Sequence, residues 1–348
     1  MKILVIQQKM IGDVLTSSIL FEALRQKYPE AQLDYLINSH TFPVVEHHPF
    51  IDNFIFFTKE AESSKRELFK FAKAIRKREY DVVIDVYSKL SSNLISWFSG
   101  AEIKISYYKY YTSFLYHHNI KRQESTKENS NLALIHRMQL LAPLGIEASS
   151  IKPKIYLTDT EITTSKQFLE KHKIDLDQPL FMISVLGSGE NKTYPYSYMA
   201  KVIDAIVEKT DGQILFNYIP KQEAQARAIL NLCAAKTQNH IKFDVFGKSL
   251  RDFLAITQHC NAVIGNEGGA INMAKALNIK TFAIYSPWID KASWSLFNDK
   301  NNVGVHLKDD KPELYTKPEK TYKKEALALY KQFKPKLFLD KLKDFLDN

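Results

Sequence analysis

The run Ile3-Leu4-Val5-Ile6-Gln7-Gln8-Lys9-Met10-Ile11-Gly12-Asp13 decides the fold. Four consecutive apolar residues, three of them β-branched, suit a strand buried on both faces, as in a parallel sheet. A short polar stretch follows, then a glycine turn, then a helix-like segment that opens on Asp13. The same order returns late in the chain, where Ala262-Val263-Ile264 runs into Gly265-Asn266-Glu267-Gly268-Gly269-Ala270. A strand, a glycine turn and a helix together aim backbone N–H groups and a helix N-terminus at whatever sits above the sheet edge.

Alternation continues outward from the first run. Strand-like runs cover residues 3–6, 33–37, 53–57, 82–86 and 103–106, with helix-like segments at 14–28, 65–78 and 90–98. A further helix over 132–142 is stopped by Pro143 and Gly145. Residues 147–160, with Pro153 and polar side chains, read as a linker. Strands then return at 180–184, 213–216, 241–243, 262–264 and 281–284, separated by helices at 196–208, 221–235, 250–259 and 270–277. Strands alternating with amphipathic helices predict parallel, doubly wound sheets. The expected class is α/β, with two Rossmann-like domains facing across a cleft, over residues 1–155 and 156–325. Residues 326–348 add a lysine-rich amphipathic helix that is free to pack back on the first domain.

Composition narrows the function classes. The 348 residues are 45% hydrophobic, enough for two full cores. Two cysteines, Cys233 and Cys260, make no disulfide framework and fit a reducing compartment. The apolar run after Lys2 is too short for a secretory signal, and no stretch is long enough to span a bilayer. Both observations fit the cytoplasm, with docking on the inner membrane face left open. The net charge of +9 suits a polyanion or an anionic membrane surface, and equally a lysine-rich proteome. No zinc-finger spacing, RNP-like motif or basic heptad repeat marks a nucleic-acid binder. The first turn is not Gly-x-Gly-x-x-Gly, and the second strand ends Leu36-Ile37-Asn38 without an acid, which weakens a dinucleotide-binding reading.

Several residues could carry chemistry. Asp13 suits a general base for a hydroxyl nucleophile, and equally suits the free N–H groups of a helix start. Lys192 follows the turn Gly187-Ser188-Gly189, whose N–H groups could cradle a phosphate while the ammonium neutralises a departing diphosphate. A solvated loop lysine is the plain alternative. Gly268 and Gly269 open a helix that continues through Asn272 and allow an anion close approach. Glu267 would repel a phosphate held against it, so it suits donor hydroxyls or backbone N–H groups. Glu223 suits either ribose hydroxyls or a helix start, and Phe246 either a nucleobase wall or the core. Tyr107 to Arg122 is rich in aromatic and basic residues, among them Lys109, Tyr110, Lys121 and Arg122, and suits sugars, lipid phosphates or a membrane interface. The histidines show no metal-ligand spacing. Asp175-Leu176-Asp177 precedes its strand, at the sheet end away from a ligand crevice, so nothing points to a metal-held diphosphate.

Five motifs, in this order, resemble glycosyltransferase family 9, the ADP-heptose:lipopolysaccharide heptosyltransferases. They are Lys2-Ile3-Leu4-Val5-Ile6 with Ile11-Gly12-Asp13-Val14-Leu15; Leu24-Arg25-Gln26-Lys27-Tyr28-Pro29 leading into Leu33-Asp34-Tyr35-Leu36; Lys192 before Tyr194-Pro195; Gly247-Lys248-Ser249-Leu250-Arg251-Asp252; and Asn261-Ala262-Val263-Ile264-Gly265-Asn266. The likeness spans about residues 1–290, and its ordering makes it far more specific than any one motif.

The resemblance implies a GT-B fold with the acceptor site, including Gly12, in the first domain and the nucleotide-sugar site in the second. It implies inverting transfer without metal or cofactor, from a donor linked to ADP, onto a lipid-linked glycan at the inner membrane face. The family's catalytic aspartate falls on Asp13, its phosphate-binding lysine on Lys192 and its ribose-contacting acid on Glu223. One departure stands out. The family's second turn reads Asp-Thr-Gly with a histidine three residues after the glycine, whereas this chain has Glu267-Gly268-Gly269 and Asn272. Heptose as the donor sugar therefore stays open. So do two rivals: a sugar-nucleotide epimerase on the same fold, and an inactive nucleotide-sugar-binding homologue.

Overall fold

Ile3, Leu4, Val5 and Ile6 are all fully buried, and they form the inner strand expected of them. The computed structural model describes residues 1–123, 131–147, 151–291 and 299–348. It divides into two units, Met1–Tyr156 and Leu157–Asn348.

In the first unit, β1 (Lys2–Ile6), β2 (Gln32–Asn38), β3 (Asn53–Phe57), β4 (Val82–Asp85), β5 (Ile103–Tyr107) and β6 (His118–Ile120) form one sheet. The order is β3-β2-β1-β4-β5-β6, and every pair is parallel. In the second unit, β7 (Leu180–Ser184), β8 (Gln213–Asn217), β9 (Ala262–Asn266), β10 (Lys280–Ile284) and β11 (Asn302–Val305) lie in the order β11-β10-β9-β7-β8, again all parallel. Both sheets are therefore doubly wound. The strand order reverses between β1 and β4 in one and between β7 and β9 in the other. Loops leaving a sheet at such a reversal diverge to opposite faces and leave a crevice at the carboxyl end of the strands.

Side chains of the second sheet sort by a period of two. Phe181 and Ile183 enter one buried cluster with Ile264 and Phe282, while Leu180 and Met182 enter another with Val263 and Ala283. Gly265 is held at φ 128°, where a Cβ would lie 2.5 Å from the Ser184 carbonyl oxygen. Only glycine lets β9 approach β7 this closely.

The structure corrects the sequence reading at several points. The helix expected over 14–28 is two, Ile11–Ser17 and Ile19–Lys27. Ser18 breaks it: its N–H is shared between the Val14 and Leu15 carbonyls at 3.2 Å each, and its hydroxyl donates to Leu15 at 2.8 Å. Residues 241–243 form no strand. Only Ile241 bridges Ile214, and the chain turns at once, Val245 N–H donating to Lys242. The helix expected over 221–235 divides into Glu223–Leu232 and Ala235–His240. Linker residues 148–150 lie outside the described residues. A helix Asp159–Lys171 begins inside the expected linker, opened by a reciprocal cap between Thr158 and Glu161. The tail forms Leu339–Asp347, and its Leu342 and Phe345 sit in the core of the second unit beside Phe282 and Phe338. Its apolar stripe is therefore used within that unit, where the sequence had left it free to pack on the first domain.

Candidate functional site

Each unit carries a set of candidate functional side chains at its own strand-order reversal. In the first unit the turns after β1 and β4 flank that point. Met10 precedes the helix Ile11–Ser17 at φ 69°, and Ser88 follows β4 at φ 49°. Six other described non-glycine residues share positive φ, among them the helix-end residue Asp211, so this backbone alone does not single out the turn. Asp13 falls in the first turn of its helix, and its carboxylate is 41% exposed. Gly12 beside it has open space where a Cβ would stand.

Arg137, in the helix Leu132–Gln139, holds that carboxylate: Nη2 donates to Asp13 Oδ1 at 2.8 Å. Arg137 is buried, and its other nitrogens donate to Ser17 Oγ at 2.9 Å and to the Ala133 carbonyl at 2.7 Å. A guanidinium pinned at three points fixes the carboxylate's direction. The sequence reading missed Arg137, because a contact spanning 124 positions leaves no local signal. Lys109 reaches the second turn, donating to the Ser88 carbonyl. Burial and the neighbouring Lys89 push its ammonium below the usual lysine range. Lys121 lies over the Tyr108 ring at 5.5 Å and Arg122 over Tyr107 at 4.2 Å. Tyr110 projects at 87% exposure.

In the second unit the loop after β7 and the turn after β9 flank the reversal, and Asn266 ties them together. Its amide donates to the Ser184 carbonyl at 2.9 Å and accepts from Tyr194 N–H at 2.7 Å. Between them Lys192 Nζ and Glu267 Oε1 pair at 3.4 Å, and Lys192 lies 5.5 Å from the Trp288 ring centroid. The Glu267 side chain is 12% exposed, and Oε1 gains no hydrogen bond from the pair. Burial pushes its carboxyl above the usual carboxylate range, against the pull of Lys192. The loop itself is anchored by Ser286 Oγ and Trp288 Nε1, which donate to the Asn191 carbonyl at 2.6 and 3.0 Å.

The glycine turn is partly committed already. Gly187 N–H donates to Thr193 Oγ1 at 3.1 Å, and the next two residues, Ser188 and Gly189, are exposed. A cavity of about 670 Å3 opens on this turn, with Gln222, Lys221 and Lys331 on its wall and neither Lys192 nor Glu267 among its lining residues. Gly268, at φ 151°, precedes the helix Gly269–Ala276 and lets the chain enter it from the strand; Asn272 N–H closes the first turn onto the Gly268 carbonyl at 3.1 Å. Glu223 pairs on the surface with Arg227 at 3.1 Å, and Gln222 beside it is the side chain that touches the loop, donating to the Gly187 carbonyl at 3.2 Å. Phe246, 40% exposed, packs on Tyr218, which stacks on Phe243 at 5.1 Å. Asp177 N–H caps Asp175 Oδ1 in a turn before β7, at the far end of the sheet. Among the described residues no group of three His, Cys, Asp or Glu could hold a metal ion.

Comparison with known proteins joins the chain to a family. The model of glycosyltransferase family 9 (heptosyltransferase) matches residues 68–323, a span that holds Lys192 and Glu267 and starts after Asp13. A putative glycosyltransferase of Haemophilus influenzae is 23% identical over 319 residues, 86% of either chain. The structure of a family 9 glycosyl transferase from Veillonella parvula superposes with a TM-score of 0.77 at 18% identity, covering 95% of this chain and 97% of that one. Escherichia coli ADP-heptose lps heptosyltransferase II gives 0.69 at 18% identity, with 95% and 99% covered. Both structural likenesses speak to the fold.

Proposed function

The chain belongs to glycosyltransferase family 9 and is a glycosyltransferase; from that premise we propose that it transfers heptose from ADP-heptose to a lipopolysaccharide-core acceptor, with inversion. The observation that carries the donor half is the pairing of Lys192 with Glu267 at 3.4 Å across the strand-order reversal of the second unit. The N-terminus of the helix Gly269–Ala276 lies beside the pair and favours an anion, and a diphosphate bound there would draw the Lys192 ammonium from Glu267. Among the relatives, the E. coli heptosyltransferase II carries ADP-heptose in its name.

In this mechanism Asp13 takes the proton of an acceptor hydroxyl. The oxygen attacks the anomeric carbon from the side opposite the nucleotide, and the bond to the diphosphate oxygen breaks with its electron pair leaving on the diphosphate. Lys192, the Ser188 and Gly189 amides and the helix N-terminus take up that charge. A donor aimed at developing charge is worth about 3 kcal/mol. Arg137 fills one carboxylate oxygen of Asp13 and leaves Oδ2 for the incoming hydroxyl. Lys109, Tyr110, Lys121 and Arg122 hold an anionic, lipid-linked acceptor at the cytoplasmic membrane face.

The test is thermal stability of the purified protein with nucleotide diphosphates and nucleotide sugars. A ligand selective for the folded state stabilises by about 2.7 kcal/mol at a hundred times its dissociation constant. A shift with ADP and ADP-heptose that is lost in Lys192→Ala supports the donor assignment. Preference for another nucleobase overturns ADP. Donor binding without transfer to any acceptor overturns the catalytic reading and favours a binding homologue. Glu267-Gly268-Gly269 and Asn272 favour one variant of the proposal, a donor sugar other than heptose, which the same panel resolves.

A further inference from the structure

The first unit carries an exposed aromatic tip between β5 and β6. Tyr110, Tyr111 and Phe114 lie within five residues at 87, 69 and 80% exposure. Lys109 ties the tip to Ser88 at the start of the helix Leu90–Phe98, and the short turn Ser113–Leu115 packs on that helix. Leu90, 80% exposed, adds an aliphatic side chain at the same end. Single exposed apolar residues are ordinary, but four large ones on adjoining turns form a patch that calls for a partner.

The surrounding charge says which partner. Lys89 precedes Leu90, Lys109 precedes Tyr110, and Lys121 and Arg122 follow β6; among the described residues no ion pair joins any of them to a carboxylate. Burial, Lys89 and Arg122 disfavour the charged form of Lys109, and the buried Asp85 favours it. Four cations on the segments that carry the tip disfavour docking of a second copy through the same face. They match a surface that is anionic outside and apolar within. Aromatic side chains with wet, polar ends and lysines with long stems settle at the headgroup level of a bilayer. Among the described residues no helix is long and apolar enough to cross a membrane, so attachment through this tip would be from one side.

We infer that this tip is a membrane-docking surface: Tyr110, Tyr111, Phe114 and Leu90 enter the interfacial layer of an anionic bilayer while Lys89, Lys109, Lys121 and Arg122 contact headgroup phosphates. The inference deepens the proposed membrane-face acceptor reading, but it is measured without donor or acceptor, so either can fail alone.

The experiment is co-sedimentation of the full chain with vesicles of phosphatidylcholine containing a third phosphatidylglycerol, and with pure phosphatidylcholine. The wild type should bind the anionic vesicles at least tenfold more tightly and release in high salt. The double variant Tyr111→Ser/Phe114→Ser, altered only at exposed positions, should lose tenfold or more in vesicle affinity with its melting temperature and its response to ADP unchanged. Equal binding by that variant overturns the inference, as does wild-type indifference to phosphatidylglycerol. Light scattering that shows a wild-type dimer abolished in the variant also overturns it, since the tip would then be a contact between copies.

Discussion

Arg137 Nη2 lies 2.8 Å from Asp13 Oδ1, and the same guanidinium is anchored on Ser17 and Ala133. The arrangement fixes a carboxylate that would otherwise swing freely at the start of its helix. Arg137→Met should lower kcat about ten- to a hundredfold, the cost of a misplaced catalytic group, while leaving donor affinity in the thermal-shift assay unchanged. Arg137→Lys should recover part of it. Loss of donor affinity equal to the loss of kcat would show that Arg137 merely supports the fold.

The pair Lys192–Glu267 predicts that binding and stability can be separated. Lys192→Ala leaves a largely buried carboxylate without its cation, at a cost of about 1–3 kcal/mol, and should weaken ADP binding at least tenfold. Adding Glu267→Gln removes the stranded charge, so the double variant should regain most of the melting temperature while ADP binding stays weak. If binding returned with stability, Lys192 would serve the fold alone.

Much of this architecture was legible because parallel strands buried on both faces read as unbroken apolar runs, as at residues 3–6 and 180–184. Edges were not. β6 and β11 are short, carry polar residues such as His118 and Asn302, and are defined by pairing with distant strands. The helix Asp159–Lys171 did announce itself through Thr158 and Glu161, a signal hidden inside an apparent linker. At the site, the turns were readable because glycines and carboxylates mark them locally. Their partners, Arg137 for Asp13, Asn266 for the β7 loop and Trp288 for Lys192, act across the fold, and no spacing along the chain encodes that.

His48 makes the first unit sensitive to acid. Burial, followed by repulsion from Lys154, holds its imidazole down at about 4 against an ordinary 6.5, with the rings of Phe21, Phe50 and Tyr156 around it. The depressed value means that the unfolded chain binds the proton first. The stabilisation is therefore complete above pH 6.5 and fades as pH falls towards 4. Chemical denaturation should show a loss of about 2 kcal/mol between pH 7 and pH 5 from this residue. His48→Phe should flatten that slope, and an unchanged slope would remove His48 as its source.

Gly265 offers the sharpest test of how the second unit brings its loops together. A methyl group there would sit 2.5 Å from the Ser184 carbonyl oxygen, on backbone at φ 128° that side chains avoid. β9 would have to move away from β7, and Asn266, which joins the two loops through Ser184 and Tyr194, would move with it. Gly265→Ala should therefore cost about 2–4 kcal/mol in chemical denaturation, the range for a strained backbone with a core clash. It should also weaken ADP binding at temperatures where the protein is still folded. Asn266→Ala, which cuts the tie without a clash, should lose binding for a smaller stability cost. Full ADP affinity in folded Gly265→Ala would mean that the loops hold their positions without the close approach of β9 to β7.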